Sequence, residues 1–418
     1  MKSDLDALMQ ARDLEAILVV GHAEHNSYMY YFVGGGHVSH AALIKKRGAE
    51  PVLFCGDMER DEASKSGLKV IPFTKYGGTE LLKKANNDLA LKKAMDYQAM
   101  FTDLGITKGR VGIYGFYDVG AVLSYIQHFQ KLMPQVQLVG EEKDDSVIVR
   151  AMETKSAEDV ARIREMGKIT TTVVGRVADY LTGCDVRADE VLMKENGAPL
   201  TIADVKSNIN LWLAELGAEN PEDCIFAIGH DAGVPHSIGN PTDQIALGKT
   251  IVFDIFPCEP GGGYFYDFTR TWSLGYATPE AQELYDQVHE VYDKVVENID
   301  LNAPFKDYQR MTCEYYESKG HKTPLSTPDP IDGYVHSLGH GVGLNIHERP
   351  SSNLAAGDDH IIKPGAVITI EPGLYYPEKG MGVRIEDSYW MNPNGNVERL
   401  AEYPYDFVLK MKKWKKKK

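Results

Sequence analysis

The sequence predicts two domains, an α/β domain followed by an α+β domain with an internal pseudo-twofold, and three observations lead there. The chain has 418 residues, too many for one compact core. Its first third alternates short apolar runs with amphipathic stretches. Further along, two glycine-led apolar runs share one layout of acidic residues.

In the first domain the runs Ala16-Ile17-Leu18-Val19-Val20, Ala41-Ala42-Leu43-Ile44, Val52-Leu53-Phe54 and Val111-Gly112-Ile113-Tyr114 read as strands. The segments near 58–66, 79–104 and 119–132 read as helices. Strands alternating with helices give an α/β domain with a partly parallel sheet. Val33-Gly34-Gly35-Gly36-His37 has neither the spacing nor the Lys-Ser/Thr ending of a phosphate loop, so it is read as a turn.

A charged joint follows at Glu141-Glu142-Lys143-Asp144-Asp145, and Ser156-Ala157-Glu158-Asp159 then has the form of a capping box. The helix it opens runs to about Leu181 and stops at Gly183. The expected division is 1–153 for the first domain, 154–410 for the second and 411–418 for a Lys-rich tail, read as a solvated, disordered end. In the second domain one helix covers 201–216. Another opens at Thr278-Pro279-Glu280, with Pro at the first helical position, and carries Leu284, Val288, Val291, Val295 and Ile299 on one face. A third spans about 305–319.

Composition narrows the function classes. A hydrophobic fraction of 43% is enough to build cores, which sets disorder aside. A net charge of −15 repels phosphate backbones, so no nucleic-acid partner is expected. No apolar run approaches the roughly 20 residues of a membrane helix, and the acidic start Met1-Lys2-Ser3-Asp4-Leu5-Asp6 does not read as a signal peptide. Five scattered cysteines without a C-x-x-C pair suit a reducing compartment. The expectation is a cytoplasmic protein without membrane partners.

The chemistry concentrates in the two similar runs. Gly248-Lys249-Thr250-Ile251-Val252-Phe253-Asp254 and Gly365-Ala366-Val367-Ile368-Thr369-Ile370-Glu371 each place an acid six residues after a glycine. Each is followed by a Pro/Gly turn and a returning strand with a second acid, Asp267 or Glu386, 13 and 15 residues on respectively. Antiparallel return can set the members of each pair side by side. Any one acid alone would be read as a turn cap or an arginine partner. Four on apolar strands are costly to bury, and two divalent cations remove that cost.

Between the runs lies His336-Ser337-Leu338-Gly339-His340-Gly341-Val342-Gly343-Leu344-Asn345-Ile346-His347-Glu348. Two histidines four apart suggest a helical zinc pair, but Ser follows the first and glycines crowd the segment, so a strand or loop is expected.

These segments resemble the pita-bread metallopeptidases, the family of methionine aminopeptidase, aminopeptidase P and prolidase, over about residues 155–410. The first domain is similar to the creatinase-like domain of the proline-directed branch. The resemblance implies a curved antiparallel sheet covered by helices, a homodimer, and a small peptide substrate cut at an Xaa-Pro bond by a hydroxide bridging two metal ions. It implies that Asp254 chelates one metal, that His340 and Glu371 hold the other, and that Asp267 and Glu386 bridge both. It further implies catalytic roles for His347, His236 and Glu371, the last as proton shuttle, and a substrate pocket lined by His336 and Arg384. All five ligand positions match, unlike relatives such as creatinase that have lost the metals. One departure is the turn Pro257 to Gly263, longer than usual in the family.

Four carboxylates and one imidazole favour manganese, with cobalt, zinc or iron able to substitute. Two rival functions remain: another small-amide hydrolase or lyase on this fold, and a non-catalytic binding module.

Overall fold

The computed structural model describes residues 4–414. It divides into two compact units, one reaching to Met152 and taking in Gly261–Gly263, the other comprising Glu153–Pro260 and the chain from Tyr264 onward.

In the first unit β1 (Leu14–Gly21), β2 (Ala41–Lys46), β3 (Val52–Cys55), β4 (Lys69–Pro72), β5 (Gly109–Phe116) and β6 (Val136–Val139) form one sheet in the order β4-β3-β2-β1-β5-β6. β1 is parallel to β5, as β5 is to β6 and β3 to β4, while β2 is antiparallel to both its neighbours. β1 is apolar along most of its length because both faces are covered. The helices are α1 (Leu5–Ala11), α2 (Ser27–Val33), α3 (Arg60–Ser64), α4 (Gly78–Lys84), α5 (Leu89–Asp103), α6 (Val119–Leu132) and α7 (Val147–Met152). Tyr97, Met100 and Phe101 of α5 and Phe129 of α6 pack with Ala16, Leu18 and Val20 of β1.

The single helix expected over 79–104 is in fact two. Asn86 and Asn87 adopt positive φ, 53° and 63°, which short amide side chains tolerate. Asp88 then caps α5 by accepting from the Leu91 N–H.

The second unit opens with α8 (Ala157–Gly183), whose Ser156–Asp159 capping box is present in full. A short ribbon, β7 (Asp185–Val186) and β8 (Leu192–Met193), leads to α9 (Ile202–Glu215) and β9 (Cys224–Ile228). Then come β10 (Thr250–Ile255), β11 (Phe268–Leu274), α10 (Pro279–Asn298) and α11 (Phe305–Ser318). The remaining strands are β12 (His340–Gly341), β13 (Glu348–Ser351), β14 (Val367–Ile370), β15 (Gly373–Tyr376), β16 (Met381–Arg384), β17 (Asp387–Met391), β18 (Val397–Arg399) and β19 (Val408–Leu409).

Two sheets, ordered β19-β11-β10-β9 and β13-β12-β14-β17-β18, each hold one acidic strand pair at their centre. The Val288, Val291, Tyr292 and Val295 face of α10 packs with Ile368 and Ile370 of β14. A bridge between Thr269 and Glu386 links the two sheets.

Two expectations need correction. Pro372-Gly373 does not turn the second acidic strand straight back, because β15 and β16 intervene as a separate ribbon. The return strand is β17, paired with β14 at Ile370↔Asp387. The Lys-rich tail is not a free end where it is described: Met411 is buried, the Lys412 N–H donates to Thr182 O, and Trp414 stacks on Tyr276. Lys412 and Lys413 pair there with Asp179 and Asp185, which offsets their like-charge repulsion. Lys415 to Lys418 lie outside the described residues.

Candidate metal centre

Asp254 sits near the end of β10, opposite Thr269 of β11, and Asp267 immediately precedes β11, so the first pair of acids is diagonal. β14 and β17 pair as far as Ile370↔Asp387, so Glu371 follows β14 and Glu386 precedes β17 at the same end of the strand pair. His340 begins β12, next to β14. The segment around it is not helical, as its glycines demand: a Cβ on Gly341 would come within 2.0 Å of Arg349 O.

Asp267, His340 and Glu386 each offer a ligand atom, all within 4.8 Å of one another. Glu371 Oε1 lies 3.4 Å from His340 Nε2, and Asp267 Oδ2 lies 3.7 Å from it. Asp254 Oδ2 accepts from Arg384 Nη2 at 2.5 Å, and the Asp254 charge acts on Asp267. Glu386 Oε2 accepts from the Thr269 hydroxyl at 2.7 Å.

Three carboxylate oxygens in this cluster, Asp254 Oδ1, Asp267 Oδ1 and Glu386 Oε1, are buried with no hydrogen-bond partner. Buried acceptors in that state are costly, and hard-oxygen coordination would satisfy all three. His340 completes a suitable donor set. Its Nδ1 faces the Gly341 carbonyl at 3.0 Å; a carbonyl only accepts, so Nδ1 carries the proton and Nε2 keeps its lone pair. Burial, then the neighbouring His347, lower His340 to about 3, which keeps it neutral as a ligand must be.

Protons otherwise substitute for cations. Burial first, then the charges of Asp254 and Glu371, push Asp267 well above the carboxylate range. Burial and the charges of Asp267, Glu371 and Asp254 do the same to Glu386. Burial raises Glu371 to about 8, with Asp254 adding to it and Arg384 opposing. Crowded carboxylates behave in this way when nothing neutralises them.

The other expected residues surround this cluster. His347 is exposed, with its ring centroid 4.4 Å from that of His340. His236 is exposed on the loop after a short turn at Asp231–Gly233. His336 is partly buried, with Nε2 2.8 Å from the Tyr375 hydroxyl and Nδ1 2.7 Å from Ser337 O. Arg384 is buried and donates to Asp254, to the Tyr375 hydroxyl, to Thr269 Oγ1 and to Pro235 O. Its bonds thus run to an acid of the cluster and to the loop that carries His236.

Two residues escaped the sequence reading, Thr269 and Tyr375. Thr269 lies two residues after Asp267, and so on the same face of the strand, a signal that was available. Tyr375 gave none, because its role follows from the unforeseen β15–β16 ribbon.

The two central strand pairs with acids meeting at their junction define a pita-bread fold around a carboxylate-rich centre. Residues 161–393 match the model of metallopeptidase family M24, and the chain belongs to that metal-dependent family. It is 27% identical over 409 residues to an Xaa-Pro dipeptidase of Pyrococcus furiosus, covering 96% of this chain and 98% of that one. A solved prolidase from Pyrococcus furiosus superposes with TM-score 0.71 at 25% identity, covering 96% and 99% of the two chains. An Xaa-Pro dipeptidase structure from Bacillus anthracis, at 18% identity and TM-score 0.74 over 98% and 99%, shares the fold. No helix among the described residues is long and apolar enough to cross a membrane.

Proposed function

We propose that this metallopeptidase hydrolyses Xaa-Pro peptide bonds, as an aminopeptidase or a dipeptidase, with two divalent cations held by Asp254, Asp267, His340, Glu371 and Glu386. The observation that carries the reading is the set of three buried carboxylate oxygens left without partners beside a neutral imidazole. The names of the relatives, Xaa-Pro dipeptidase and prolidase, support the specificity. Manganese suits a set of mostly hard oxygen donors.

Cations bound there supply Lewis acidity toward a carbonyl and make water acidic enough to give a nucleophile at neutral pH. The chain's residues do the rest. Glu371 holds the proton that the leaving nitrogen needs, because a prolyl nitrogen lacks an N–H. His347 and His236, both exposed, can reach a bound substrate and donate to its carbonyl oxygen as charge develops. Arg384 holds Asp254 from behind and fixes the Pro235 carbonyl at 3.3 Å, beside His236. His336 and Arg384 line the proline side of the pocket in this reading. A homodimer in the cytoplasm completes it, and the five buried cysteines fit such a setting.

The test is turnover of Ala-Pro and Ala-Pro-Ala with and without manganese. Manganese-dependent cleavage of either supports the proposal, and the preferred length separates dipeptidase from aminopeptidase. Failure to cleave both would overturn it in favour of another small-amide substrate.

A further inference from the structure

Behind the acids lies a second cluster of buried charge. Arg270 of β11 is 1% exposed and Asp387 of β17 is 0% exposed. A guanidinium has five N–H donors, and Arg270 uses every one. Nε donates to Pro404 O at 3.0 Å and Nη2 to Tyr403 O at 3.2 Å. Nη1 donates to both Thr269 O at 3.0 Å and Glu386 O at 2.9 Å. The remaining Nη2 proton goes to Asp387 Oδ1 at 3.0 Å. Asp387 Oδ2 in turn accepts from the hydroxyls of Tyr292, at 2.5 Å, and Tyr405, at 2.6 Å.

Stability alone gives no reason for such a pair, since apolar residues of similar volume often fill such a space equally well. Geometry gives one. Thr269 lies on β11 of one sheet and Glu386 immediately precedes β17 of the other, and their bridge links the two. The Thr269 hydroxyl also donates to the Glu386 carboxylate. One nitrogen of Arg270 therefore clamps the carbonyls of the two residues whose side chains meet at the metal centre.

We infer that Arg270, oriented by Asp387, is a positioning residue that holds the two sheets in the register at which Glu386 meets Asp267 and His340. The inference rests on the metal reading above. Lysine cannot replace it: an ammonium keeps the charge but lacks the planar five-donor fork.

The experiment is calorimetric titration of manganese into the full chain, stripped by chelation, beside thermal melts of each stripped protein. The variants are Arg270→Lys, Tyr405→Phe and, as a control, Phe101→Ala, which opens a cavity in the core of the first unit. Arg270→Lys is expected to fold and to bind manganese about 10- to 100-fold more weakly. Tyr405→Phe should weaken binding in the same direction but less, and Phe101→Ala should melt earlier yet bind as wild type does. Wild-type affinity in a folded Arg270→Lys overturns the inference, leaving Arg270 a structural residue. If Arg270→Lys does not fold, Tyr405→Phe decides, and unchanged affinity there overturns it. Wild type that binds no manganese overturns the metal reading itself, an outcome distinct from either.

Discussion

Glu371 meets two demands that its surroundings set against each other. As the ligand proposed above it would have to be ionised, yet burial raises it from 4.5 to about 8. A carboxyl raised in the folded state stabilises the fold fully below its unfolded value, and that contribution is lost as pH climbs through the folded value. Asp267 and Glu386 are raised as well. The metal-free chain should therefore lose stability between about pH 4.5 and 8, while manganese, which needs ionised ligands, stabilises more as pH rises. Melting temperatures with and without chelator should diverge from pH 5 to pH 8; a gap that narrows would refute this. Glu371→Gln should lower kcat on Ala-Pro by at least about 100-fold, the low end for a lost general acid or base. His347→Ala should lower it by a comparable factor if its donor serves the developing oxyanion. The acids themselves were legible in the sequence because a charge ending an apolar strand is unusual. Thr269 was not singled out, although its spacing of two from Asp267 placed it on the same strand face.

The loop between β12 and β13 depends on a pair far apart in the chain. Lys155 and Glu348 form an ion pair at 2.7 Å with both side chains 1% exposed. Glu348 Oε1 also accepts the Asn345 N–H at 3.0 Å. Gly343 leaves room for the pair, since a Cβ there would lie 2.5 Å from Glu348 Oε2 and 2.7 Å from Lys155 Cε. Lys155→Met strands a buried carboxylate and should destabilise by about 3–5 kcal/mol, whereas adding Glu348→Gln should recover part of the loss. Denaturant unfolding of both variants measures the difference; equal losses would show that the two side chains are not coupled. The glycine-rich spacing was readable as a loop of close approach, but the agent of that closeness, Lys155, carried no local mark. The helix from 79 to 104 was overextended for a related reason. Its apolar periodicity continues past Asn86 and Asn87, and only their backbone conformation breaks it.

The second unit brings two sheets together through specific links, among them the Thr269–Glu386 bridge and the Arg270 fork. Cations shared by acids of both strand pairs would join those links. Manganese at 100 times its dissociation constant should then add about 2.7 kcal/mol, visible as a melting temperature that falls on chelation and returns on readdition. No change on chelation would argue that the acids hold no cation. Trp414 stacks on Tyr276 with ring centroids 6.1 Å apart. Trp414→Ala should lower the melting temperature by a few degrees, on the order of 1 kcal/mol for an aromatic pair; an unchanged melt would mean that the contact contributes nothing.

Reading the chain alone was enough for the two-part α/β and α+β organisation, for most of the strands and longer helices, and for Asp267, His340 and Glu386 of the cluster that could hold metal. Each of these leaves its trace within a few residues: a period of 2 or 3.6, a cap, a glycine, or an acid where apolar residues should be. Folding in three dimensions settled the rest. It inserted the β15–β16 ribbon between Glu371 and Glu386, turned Arg384 toward Asp254, paired Lys155 with Glu348 and set Arg270 between two sheets. Such contacts join residues up to 193 positions apart. Their energy comes from complementary burial and donor geometry, which no local pattern of residues encodes.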